Sequence, residues 1–68
     1  MFTIEQNITA RQIRSGDVFV LHGHTRTADG PAWPTALQGH VHIRFDGGGE
    51  AVVQADRPLT VTRQVATA

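Results

Sequence analysis

An all-β fold, a small antiparallel barrel or sandwich, is predicted by three features of this 68-residue sequence. Apolar residues recur with a period of two, as in "HVHIRF" (40–45), where Val41, Ile43 and Phe45 alternate with His40, His42 and Arg44. Turn-forming residues interrupt the chain at short intervals, about every 8 to 12 residues, which is the spacing of short strands in series. The uninterrupted apolar run "VFVL" is rich in β-branched and aromatic residues and too short for a buried helix.

From the N-terminus, "FTI" and "NITA" alternate weakly and define no firm strand, and "SGD" (15–17) makes a tight turn. "DVFVL" (17–21) is apolar on both parities and suits a central strand. Because both parities are apolar, the run does not by itself say which of its residues face inward. "ADGPAWPTALQG" (28–39) holds Gly30, Pro31, Pro34 and Gly39 and reads as a long loop, with at most one helical turn at "TALQ". After the strand 40–45, "DGGGE" (46–50) turns the chain through glycines that reach positive φ without strain. "EAVVQA" is a shorter strand in which either Val52 or Val53 points inward. "ADRP" (55–58) is a break, because Pro58 fixes its own φ and restricts Arg57. "LTVTR" alternates again, and residues 64–68 read as a frayed tail. The expectation is one domain over residues 1–68, with five strands and a core of Ile8, Ile13, Phe19, Leu21, Val41, Ile43, Phe45, Val52 or Val53, Leu59 and Val61.

Composition narrows the function. A chain this short sits near the lower limit for burying its own core and gains from a staple or a partner. It has no cysteine, so neither a disulfide framework nor a thiolate zinc site can serve. Net charge is zero, with six basic and six acidic residues, which argues against a strongly electrostatic nucleic-acid or membrane binder. All the basic residues are arginine, a pattern that a GC-rich coding sequence explains and that guanidinium recognition of phosphate or carboxylate would also produce. "MFTIEQNITARQI" lacks the basic start and apolar core of a signal peptide, and no run could span a bilayer, so the expectation is a soluble cytoplasmic protein.

The stretch "IRSGDVFVLHG" resembles the opening of SH3-like small β-barrels, in particular the KOW-type pattern, in which an apolar residue and Gly-Asp (here Gly16 and Asp17) introduce the first barrel strand. "VHIRFDGGGEAVV" followed by "PLTVTR" is similar to the hairpin and closing strand of such barrels. The resemblance implies a five-stranded antiparallel SH3-like barrel with one long loop at about 28–39, in which Phe19 and Leu21 point inward and Val18, Val20, His22 and His24 lie on the outer face as far as the strand stays regular past Gly23. Basic residues are missing where KOW segments carry them, so the RNA and ribosomal roles of that family are not implied.

Four histidines, in "HGH" (His22, His24) and "HVH" (His40, His42), raise the possibility of a metal centre. If 17–28 pairs antiparallel with 39–45, Ala28 faces His40, Arg26 faces His42 and His24 faces Arg44. His24 and His40 then lie about 13 Å apart along the ladder, too far for a shared tetrahedral ion. The histidines therefore read as a solvated strand face, with no metal and no cofactor. Nucleophiles are scarce: Ser15 is the sole serine, tyrosine and lysine are absent, and Asp17 is expected to hydrogen-bond within its own turn. No catalytic residue is assigned, and an enzyme is not expected.

Trp33, in "PAWP", reads first as a plug over one open end of the barrel, and second as an exposed anchor that its flanking prolines would hold rigid. Two functions follow. The preferred one is a non-catalytic protein-interaction module presenting Trp33 and the long loop. The alternative is a nucleic-acid binder using His40, His42 and Arg44 with Arg26, and His24 as a further candidate. Outward Val18 and Val20, with apolar Phe2 and Ile4, further point to a protein partner or to self-association as a homodimer.

Overall fold

The computed structural model describes residues 2–65. Among them are strands β1 (Phe2–Thr9), β2 (Val18–Leu21), β3 (His24–Thr27), β4 (Trp33–Pro34), β5 (His40–Arg44), β6 (Glu50–Gln54) and β7 (Pro58–Val65), with a 3₁₀ turn at Ala10–Gln12. The chain is all-β. Its strands form two antiparallel sheets, ordered β1-β7-β2-β3 and β4-β5-β6, and a single-residue bridge, Ala28 to Phe45, links them. Among the described residues the two sheets do not close into a barrel.

The core holds the residues expected from the sequence. Ile8, Ile13, Phe19, Leu21, Val41, Ile43, Phe45, Leu59 and Val61 are buried, and Val53, not Val52, completes the set. Ala10, Ala28 and Ala55 join them at points where chains approach closely. Phe19 and Phe45, one from each sheet, pack with tilted rings 6.2 Å apart and tie the layers together.

Two strands beyond the expected five come from segments without apolar alternation. The chain reverses at His22–Gly23, where both residues take positive φ (52° and 80°), the requirement of a type I′ two-residue hairpin turn. His22 and His24 therefore do not continue β2. His22 is in the turn, and His24 starts β3 opposite Leu21. "HTRT" is polar throughout and becomes a strand because β2 offers it an edge. The expected loop at 28–39 is likewise shorter: Ala28 bridges to Phe45, and Trp33–Pro34 pair with His42 and Val41. Pro34 is tolerated because β4 is an edge strand. "TALQ" forms no helix; a turn closes there through the His40 N–H and the Leu37 carbonyl, 3.2 Å apart.

The N-terminal segment is a full eight-residue strand, paired with β7 from Phe2–Val65 to Thr9–Pro58. Gln64 and Val65 thus belong to β7 instead of a frayed tail, and residues 66–68 of that expectation lie outside the described residues.

Among the described residues one polar side chain is buried in the core. Asp17 is 1 % exposed. As expected it serves its own turn, accepting from the Arg14 N–H at 2.9 Å. It also receives both ends of a guanidinium: Arg63 Nε donates to Oδ1 at 2.8 Å and Nη2 to Oδ2 at 2.6 Å. Arg63 Nη2 reaches the Gln12 carbonyl as well, at 3.2 Å. Burial alone would push the Asp17 carboxyl up, but the hydrogen bonds from Arg63 and the Arg14 amide, with the charges of both arginines, hold it below its ordinary value. The hydrogen bond to Asp17 raises Arg63 in turn. This clasp pins β7 to the turn that launches β2.

Candidate binding face

The outer face of the three-stranded sheet is built by alternation in β5. With Val41 and Ile43 committed to the core, His40, His42 and Arg44 must point away from it. Antiparallel partners share a face, so β6 contributes Glu50, Val52 and Gln54 opposite Arg44, His42 and His40. On the other side of β5, Trp33 stands directly opposite His42. The result is a row across three strands, Trp33–His42–Val52, with two large apolar side chains flanking an imidazole.

Trp33 is 57 % exposed and Val52 54 %, which settles Trp33 as a surface residue and corrects the expectation of a plug. The Trp33 backbone is fixed by pairing with β5 and by Pro34 immediately after it. An open cleft of about 300 Å³ runs beside β4, lined by Arg11, Ala32, Pro34, His40 and Val41.

Charge on this face is balanced locally. His42 Nε2 lies 2.8 Å from Glu50 Oε2, and Arg44 pairs in register with the same Glu50. His40 Nδ1 donates to the Gln38 carbonyl at 3.1 Å. Arg26 is not part of the face. The bridge at Ala28–Phe45 displaces the assumed pairing by several residues, so Arg26 faces Phe19 within its own hairpin. Its guanidinium sits 5.1 Å from the centre of the Phe45 ring, a cation–π contact worth about 0.5–1 kcal/mol at an exposed site. Four of the five predicted site residues, Trp33, His40, His42 and Arg44, are therefore brought together and Arg26 is separated from them.

Val52 and Glu50 were missed in the sequence. "EAVVQ" is apolar at two adjacent positions, so its parity is undecided until β5 selects Val53 for the core. Among the described residues, no group of three or more His, Asp or Glu side chains converges as a metal site, and no helix is long and apolar enough to cross a membrane. No protein-family model matches this chain, and neither a curated protein nor a solved structure is similar to it.

Proposed function

We propose that the chain is a non-catalytic binding module of the SH3-like small-barrel kind, which docks a protein partner on the outer face of β4-β5-β6 with Trp33 as its anchor. The observation that carries this is the exposed row Trp33–His42–Val52 on a backbone already fixed by strand pairing. An aromatic held in place loses little entropy on binding, and tryptophan is enriched among residues that dominate interface energy. The barrel assignment is supported by the two sheets sharing one core and by the bridge between them.

The nucleic-acid reading draws less support. Its basic residues are divided: His42 lies against Glu50, which stands opposite Arg44 in register, and Arg26 covers Phe45 from the four-stranded sheet. Affinity purification from the source cells tests both readings. A protein retained by the wild-type chain, lost with Trp33→Ala and kept with His40→Gln/His42→Gln, is the expected result. Nucleic acid bound with an affinity that falls steeply with salt and is indifferent to Trp33→Ala would overturn it.

A further inference from the structure

A second surface, remote from Trp33, is left open by the four-stranded sheet. β1 is its edge strand, and among the described residues no strand pairs with its other side. Natural edges carry lysine, proline, a bulge or a covering loop to prevent association. β1, "FTIEQNIT", has none of these in its sequence and a single charge, Glu5. It also runs past the core: β2 joins β7 at Thr62, whereas β1 and β7 continue as a two-stranded ribbon to Phe2–Val65. On that ribbon Phe2 and Ile4 share the face of Ile8, yet they are 52 % and 40 % exposed, because the core ends beneath them.

We propose that two copies of this chain pair antiparallel through their β1 edges about a twofold axis at Ile4, joining two four-stranded sheets into one. The hydrogen-bond phase of the ladder sets which groups are on offer. The Ala10 N–H donates to the Arg57 carbonyl at 2.9 Å, in the register of the β1–β7 pairing, so the even residues of β1 bond to β7. The N–H and C=O groups of Thr3, Glu5 and Asn7 consequently point to the free edge. Thr9 shares this direction, but its N–H is already taken by Gln12 Oε1 at 2.9 Å.

Of the registers that keep the same faces aligned, the three centred on the middle of β1 have their axes at Ile4, Glu5 and Gln6, and two of these are disfavoured. An axis at Glu5 sets two carboxylates directly opposite each other, which is destabilising. An axis at Gln6 needs the edge of Thr9, which Gln12 occupies. An axis at Ile4 bonds Thr3 to Glu5 of the other copy and Glu5 to its Thr3. It places the two Ile4 side chains in a close non-hydrogen-bonded pair and Phe2 against the stem of the opposite Gln6. A second copy is thus the occupant whose charge and edge pattern fit: Ile4 meets its own counterpart, and Phe2 gains cover from the opposite Gln6.

Light scattering at about 100 μM reads the association directly, since a micromolar complex is well populated there. The wild-type chain is expected at twice its 7.4 kDa mass. Glu5→Pro removes an edge N–H that β7 does not use, so this variant is expected to remain folded by circular dichroism and to run as a monomer. The register is read by cross-linking, since the sequence has no cysteine of its own. Ile4→Cys should oxidise to a covalent dimer, because a non-hydrogen-bonded pair has its Cα atoms about 4.5 Å apart, within disulfide range. Gln6→Cys should not, because its two copies lie about 13 Å apart along the ladder. A wild-type monomer at that concentration overturns the proposal, as does a Glu5→Pro variant that is folded and still dimeric. Cross-linking through position 6 but not position 4 overturns the register.

Discussion

Replacing Arg63 by methionine tests how much of this small fold hangs on one clasp. The substitution keeps the aliphatic stem and removes the guanidinium that donates to both oxygens of Asp17. Asp17, 1 % exposed, retains only its backbone donor, Arg14 N–H. Removing one partner of a buried ion pair costs about 3–5 kcal/mol, because the remaining charge stays desolvated. A typical domain is stable by about 0.05–0.15 kcal/mol per residue, or roughly 3–10 kcal/mol for a chain of this length. The loss is therefore comparable to the whole stability. Urea unfolding followed by circular dichroism is the assay. With a slope of about 1 kcal/mol per molar for a protein this small, the midpoint should fall by about 3 M or the variant should be unfolded in water. Asp17→Leu combined with Arg63→Met, which removes both charges, should be more stable than Arg63→Met alone. A single-variant loss under about 1 kcal/mol would refute the reasoning, since only a pair in effective contact with water costs so little.

The same clasp predicts acid sensitivity. The folded carboxyl of Asp17 lies below its ordinary value, so its stabilisation is complete above the unfolded pKa near 3.8 and drains away as pH falls through the lower folded one. Unfolding midpoints measured from pH 6 down should show a drop in that window that Asp17→Asn lacks. Ile43→Asp should abolish folding, because it buries an unpaired charge at a side chain that is 0 % exposed, whereas His42→Gln on the opposite face should cost less than about 1 kcal/mol; circular dichroism of the two compares them. Gly23→Val should destabilise by about 1–2 kcal/mol or more, since a β-branched residue is strained at φ 80°, while His22→Gly should be tolerated; thermal melts measure both. Trp33→Ala should shift the melting temperature little, and iodide should quench the native Trp33 fluorescence nearly as well as the unfolded one.

Strand alternation by itself determined the inner face of this protein. "HVHIRF" and "LTVTR" allow one parity to be buried, and the residues on it, Val41, Ile43, Phe45, Leu59 and Val61, are in the core. The outward histidines and Arg44 follow from the same period. Local chemistry also sufficed for the turns at Asp17 and at the three glycines. Where a segment lacks its own periodicity, only its neighbours could decide. β3 is polar and exists because the turn at His22–Gly23 folds it back onto β2. Trp33 belongs to a strand because β5 has a free edge beside it, and Val53 rather than Val52 is buried because β5 presents Val41 opposite. The bridge Ala28–Phe45 fixes the offset between the sheets, so Arg26 covers Phe45 and never meets His42. Asp17 and Arg63 are 46 residues apart in sequence, and nothing local to either marks them as a pair. Pairing between distant strands is a property of the assembled sheet, and it was that pairing, not the pattern within any strand, that set Trp33, His42 and Val52 in one row.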